Sequence, residues 1–83
     1  MKDELNVLYN AIIDVMQCDI SELSPETGLL SDLGVDSLDA YQIMTIVQDQ
    51  LKIEVDPDKV EELKTVGDAY ELIMQAVTEN EHT

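Results

Sequence analysis

The stretch Asp32-Leu33-Gly34-Val35-Asp36-Ser37-Leu38-Asp39 places a hydroxyl where a helix should begin, with acids on both sides of it. Gly34 lets the chain turn tightly, and Asp36 is a residue type that caps helix N-termini. Ser37 then falls in the first helical turn. A serine nucleophile needs a base to take its proton and a third group to orient that base. The one His, His82, lies at the far end of the chain, no Lys is near in sequence, and the elbow pattern G-x-S-x-G is absent. No catalytic residue is therefore expected. A hydroxyl at a helix start can still be the substrate of another enzyme, because free backbone N–H groups and the helix dipole favour a phosphate there. The flanking acids oppose that anion. The residues alone leave two readings open, a seat for a phosphate-linked group and an ordinary helix-start serine.

The acids also raise the question of calcium. An EF-hand count begun at Asp32 puts Gly34 at the third ligand position, Ser37 where Gly is required and Ile43 where a bidentate Glu belongs. A count begun at Asp56 puts Glu61 in the Gly position. Neither loop qualifies. Cys18 is the only cysteine, so no internal disulfide and no zinc set can form; no metal site is expected, and a reducing, cytoplasmic setting fits.

Four helices are expected to position Ser37. Leu5, Leu8, Tyr9, Ile12, Ile13 and Met16 recur at helical spacing and predict a first helix over residues 3–17, with Val7 and Val15 off the stripe. Residues 18–35 form a long connection containing Ser24-Pro25-Glu26-Thr27-Gly28, with a short helical turn near 20–24. Ile20, Leu23, Leu29, Leu30 and Leu33 are expected to pin it down. Asp36 with Asp39 starts the second helix, Ser37 to about Leu51. Steps of 100° place Ile43, Met44, Ile46, Val47 and Leu51 on its core side and Leu38, Tyr41 and Thr45 on the opposite side. Those last residues read equally as isolated surface groups or as a partner-docking face. Lys52-Ile53-Glu54-Val55 reads as loop with Ile53 or Val55 inward. Asp56-Pro57 starts a short third helix, 57–63, with Val60 and Leu63 inward. Thr65 and Asp68 form a box opening the last helix, 66–79, whose stripe is Val66, Ala69, Tyr70, Ile73, Ala76 and Val77. The tail from about residue 80 to 83 has no apolar anchor and is expected to fray.

Composition fits this picture. Eighty-three residues with three Tyr and neither Phe nor Trp make one domain, residues 1–83, with a small aliphatic core. The formal net charge of −15, from 19 acids against four lysines, rules against nucleic acid and anionic membrane surfaces and favours basic partners. Neither a signal peptide nor a run of the roughly 18 apolar residues that span a membrane is present, so no membrane insertion is expected.

The motif around Ser37 closely resembles the attachment motif of acyl carrier proteins. The resemblance extends over nearly the whole chain, from the first helix through the Ser24-Pro25 loop to the Pro-started short helix and Thr65-Val66. It implies an all-α small four-helix bundle, three longer helices and one short one with a long first loop. It implies 4′-phosphopantetheine, taken from coenzyme A by a separate phosphopantetheinyl transferase, on Ser37, with Asp36 and Leu38 beside it. The chain itself would be non-catalytic, a monomer carrying acyl groups as thioesters among acyl-loading, condensing and acyl-transfer enzymes with basic docking surfaces. By position, Leu38, Asp39, Tyr41 and Thr45 fall on the docking helix, and Asp58 and Glu61 join them from the short helix. Gln42, Gln48 and Gln50 stand where the fatty-acid carriers have acids, Tyr41 where a smaller aliphatic residue is usual, and Leu51 in place of Phe. These departures imply a specialised carrier, of polyketide or another pathway, at least as readily as a housekeeping one. An aminoacyl or peptidyl carrier, or an unmodified acidic adaptor, are the alternatives.

Overall fold

Asp3 accepts a hydrogen bond from the Leu5 amide (3.1 Å) and so caps the first helix, α1, Glu4–Met16, in the computed structural model, which describes residues 3–81. The helix stops at Gln17, whose amide still donates to the Ile13 carbonyl while its left-handed φ of 57° turns the chain out of the helix. Val7, Leu8, Ala11 and Ile12 are its buried residues. The expected stripe was rotated: Val7, placed off it, is only 7% exposed, while Tyr9, Ile13 and Met16 are half-buried. The physical reason is that α1 packs on two long helices, so its buried face is wider than one stripe and turned towards both.

The long connection is more ordered than its sequence suggests. Asp19 and Glu22 form a capping box around a 3-10 turn, Ile20–Glu22, within the expected span. Leu23 then goes inward. A further helix, α2, Leu29–Leu33, was not expected. Five residues cannot display a 3.6-residue period, and Gly28 and Gly34 bracket it as turn residues would. Gly34 adopts φ 73°, and its amide returns to the Leu30 carbonyl while that of Val35 returns to Leu29. Only part of the apolar set pins the loop. Leu23 and Leu29 are buried and Leu33 half-buried, but Ile20 is 54% and Leu30 70% exposed.

Backbone bonds tie this loop to the last helix. The Leu29 amide donates to the Lys64 carbonyl, Val66 to Thr27, and Gly67 to Pro25, each at 2.9 Å. A Cβ on Gly67 would lie 2.9 Å from the Pro25 oxygen, so the close approach requires glycine there.

Helix α3, Ser37–Leu51, has the expected bounds and buries Ile43, Met44 and Val47, with Ile46 and Leu51 half-buried. Ile53 turns inward after it. Helix α4 is shorter than expected, Pro57–Val60 rather than 57–63. After Val60 the amides of Glu62 and Leu63 bond three residues back, to Lys59 and Val60, so the chain tightens into turns. Asp68 accepts from the amides of Lys64 and Thr65, and Thr65 Oγ1 accepts from Asp68, which completes the expected box. Helix α5, Val66–Glu81, follows. Its buried residues include Leu72 as well as Val66, Ala69, Ile73 and Ala76. The backbone stays helical two residues past the expected end at 79; His82 and Thr83 lie outside the described residues.

The result is an all-α bundle of three long helices, α1, α3 and α5, with two short ones at the end where α3 begins. Its core is aliphatic and holds no buried polar side chain among the described residues. No helix of the described residues is long and apolar enough to cross a membrane. With a net charge of −15 the acids repel one another across so small a body. Salt or a divalent cation is expected to raise the melting temperature, as a salt titration followed by circular dichroism will read; a flat or falling trend contradicts this account.

Candidate functional site

The N-terminus of α3 is fixed before Ser37 is reached. Val35 is buried and anchors the chain just after the left-handed Gly34. The Asp36 carboxylate accepts from the Asp39 amide at 2.9 Å, and the Asp39 carboxylate accepts from the Asp36 amide at 3.4 Å. This reciprocal box satisfies two donors at the helix start, each cap contributing about 1 kcal/mol. Ser37 is the first helical residue, exposed, and its hydroxyl takes no part in the box. The sequence therefore delivers a free hydroxyl on a rigid mount.

Beside it lies a cleft of about 240 Å³ between α2, α3 and α4, with Leu29, Leu30 and Val35 on one wall and Val60, Glu61 and Leu63 on the other. Asp36, Ser37 and Ala40 form its edge. The lining carries two carboxylates, and no Lys, His or Cys among the described residues. Under the cleft the core is nearly full. A gap of only about 10 Å³ lies there, and it shares Leu29, Val35, Ala40 and Leu63 with the cleft above. Leu30, Val60 and Leu63 are thus candidate site residues that sequence reasoning gave to packing. Leu30 offered no periodic signal of exposure, since its helix is too short.

On the far side of α3, Leu38 (75% exposed), Tyr41, Gln42 and Thr45 line an open groove of about 590 Å³ bounded by Asp14 and Val15 of α1. Leu38, Tyr41 and Thr45 are therefore together, as the helical wheel placed them. Asp39 sits at the helix start, half-buried and held in the capping box. Asp58 and Glu61 are exposed on the α4 side. Two of the groove residues are not free surface groups. Thr45 Oγ1 donates to the Tyr41 carbonyl (2.8 Å), and Tyr41 is half-buried with its hydroxyl donating to the Pro57 carbonyl (3.3 Å). The expectation that Tyr41 lies clear of the packed side is corrected on this point, because the phenol is long enough to reach across to α4. Burial first, then hydrogen bonding to the Glu61 carboxylate, then the charges of Glu61 and Asp58 push its phenol above the usual value, so it stays a donor, with Glu61 a second acceptor beside the Pro57 carbonyl.

Cys18 is half-buried, and its thiol is pushed up by burial and then by the Glu22 carboxylate, which keeps the thiolate fraction low. Among the described residues no group of three or more His, Cys, Asp or Glu is placed to hold a metal ion.

What the site offers is an exposed hydroxyl at a helix N-terminus, an apolar cleft next to it and an acidic surround. That set fits a phosphate-linked arm: the helix start favours the phosphate, nothing obstructs the hydroxyl, and the cleft suits an apolar passenger. The comparisons with known proteins agree. Residues 6–73 match the family described as phosphopantetheine attachment site. The chain is 32% identical over 73 residues to an acyl carrier protein of Picosynechococcus sp., covering 88% of this chain and 90% of that protein. It is 31% identical over 77 residues to one of Treponema pallidum, covering 92% and 99%. To one of Porphyromonas gingivalis it is 34% identical over 66 residues, covering 80% and 85%.

Proposed function

The chain belongs to the acyl carrier protein family, and on that premise we propose that it holds its 4′-phosphopantetheine on Ser37 and presents acyl groups to partner enzymes, catalysing nothing itself. The group supplies a thiol that carries the acyl chain as a thioester. The observation that carries the assignment to Ser37 is its exposed, uncommitted hydroxyl on a doubly capped helix start within the matched span. A phosphopantetheinyl transferase forms the bond from Ser37 Oγ to the phosphorus nearer the pantetheine of coenzyme A. The serine proton goes to the transferase's base, and adenosine 3′,5′-bisphosphate leaves.

The chain's own residues then have distinct tasks. Asp36 holds the helix start, so the arm leaves from a fixed point. Leu38, exposed one residue on, gives an entering enzyme an apolar foothold. Asp39, Asp58 and Glu61 supply negative charge around the mount, and Tyr41 and Thr45 extend the apolar foothold along α3. Acyl-loading, condensing and acyl-transfer enzymes with basic surfaces match this pattern, since complementary charge speeds encounter. Gln42, Gln48 and Gln50 leave α3 less acidic, which supports a specialised pathway, polyketide or related, at least as readily as the housekeeping synthesis of fatty acids. On the same reading residues 1–83 are one carrier domain, working as a cytoplasmic monomer.

Incubation with coenzyme A and a broad-specificity phosphopantetheinyl transferase, followed by intact mass measurement, is expected to add one phosphopantetheine per chain. A chain that gains none overturns the proposal.

A further inference from the structure

Helix α4 is held in place by little of its own. Of its four residues only Val60 is buried, and Pro57, Asp58 and Lys59 are exposed. Elements with so few buried apolar groups open locally at low cost. Two side chains of α3 reach out to the segment that leads into α4. Gln48 Oε1 accepts from the Val55 amide at 2.7 Å in a partly buried setting, and the Tyr41 hydroxyl donates to the Pro57 carbonyl at 3.3 Å. Gln48 and Tyr41 lie seven residues apart, two turns along one face of α3, so they grip the segment at successive points. The wall they hold is the one that closes the cleft beside Ser37, and the gap of about 10 Å³ beneath that cleft admits nothing until a wall moves.

We propose that Tyr41 and Gln48 form a two-point latch that holds α4 against α3 and keeps the core closed beneath Ser37. The latch is a positioning device, and its consequence, control over how readily an acyl chain enters between the helices, rests on the carrier reading above. The hydroxyl of Tyr41 is the specific element: a smaller aliphatic side chain at this place could not reach Pro57.

Hydrogen exchange on the unloaded protein reads the latch directly. The amides of Lys59, Val60, Glu62 and Leu63 all make backbone bonds within or just after α4 and report its opening. In Tyr41→Phe, which keeps the ring and removes the donor, they are expected to exchange about two- to tenfold faster, the worth of one hydrogen bond, and faster again with Gln48→Met added. Amides within α1 should change less. Unchanged exchange at α4 in the double variant overturns the latch, and so does an equal rise throughout α1, α3 and α5, which would mean general destabilisation. In a second arm, both proteins are loaded with an octanoyl-phosphopantetheine and exposed to hydroxylamine. The double variant is expected to release its octanoyl group more slowly, because the chain enters the loosened core and shelters the thioester. Equal or faster release, with α4 exchange raised, overturns the control over entry. Failure of the unaltered protein to accept the arm overturns the carrier reading instead, and the exchange result still decides the latch.

Discussion

Ser37→Ala is expected to lose phosphopantetheine attachment altogether while unfolding within about 3 °C of the wild type. The two halves of that result come from separate features. Attachment needs Oγ, and no second hydroxyl sits on the mount: Ser31 lies on α2, and Thr45 donates to its own helix at the Tyr41 carbonyl. Stability does not need Oγ, because the capping box runs between Asp36 and Asp39 and leaves Ser37 outside it. Alanine is also a good helix former at an exposed first-turn position. Intact mass after transferase treatment and a thermal melt on the same sample check both halves. Attachment that survives the substitution places the arm elsewhere. A large fall in melting temperature means that the hydroxyl has a structural partner. Asp36→Ala makes the opposite case. It removes the cap at a cost of about 1 kcal/mol and leaves the hydroxyl in place on a looser mount, so loading is expected to slow rather than vanish.

Much of this arrangement is legible in the sequence, and what is not has identifiable causes. Asp36, Asp39, Thr65, Asp68 and the Asp56-Pro57 pair fix helix starts through short-range chemistry, and each start falls where that chemistry puts it. Ser37 is legible for the same reason, since its seat depends on its immediate neighbours. Helix ends are less so: α4 stops at Val60 because three-residue-back bonds win over continuation, and no residue type announces that. The burial of Val7 depends on α1 having two helical neighbours, a fact of tertiary packing. α2 is too short for periodicity, and its loss from the reading hides the role of Leu30, which stands 70% exposed at the rim of the cleft rather than pinning the loop. Tyr41 is the instructive case. The helical wheel places it off the core stripe correctly, but a wheel knows nothing of the reach of a phenol or of a neighbouring carbonyl at Pro57. The purpose of the Ser37 seat is a different kind of gap. Local physics says that the hydroxyl is presented, and only family membership says to what.

Ile73→Ala is expected to cost about 2–5 kcal/mol and Val47→Ala about 1–3 kcal/mol, by lost burial and the cavity each leaves. Both side chains are fully buried, and they lie on α5 and α3, the two long helices that enclose the core with α1. For a chain of this size the whole stability is about 4–12 kcal/mol, so the Ile73 change removes a large share of it. The melting temperature should fall by about 10–30 °C, with a smaller fall for Val47→Ala. Leu38→Ala supplies the contrast, since its side chain is exposed and the expected change is within about 0.5 kcal/mol. Tyr41→Ala should fall between the two groups, because it loses half-buried packing and the bond to Pro57. Urea unfolding of the four variants, analysed with a common slope, gives the order. Equal losses at Ile73 and Leu38 would mean that α3 or α5 is rotated from the packing described above. The order has a functional consequence as well. The seat of Ser37 is approached through a segment tied to the start of α5 by backbone bonds at Leu29, Val66 and Gly67, and the Val35 amide just before α3 returns to the Leu29 carbonyl. Core variants should therefore lose loading only as they unfold, in step with their melting curves. Leu38→Ala should instead slow turnover by partner enzymes at temperatures where the protein is fully folded.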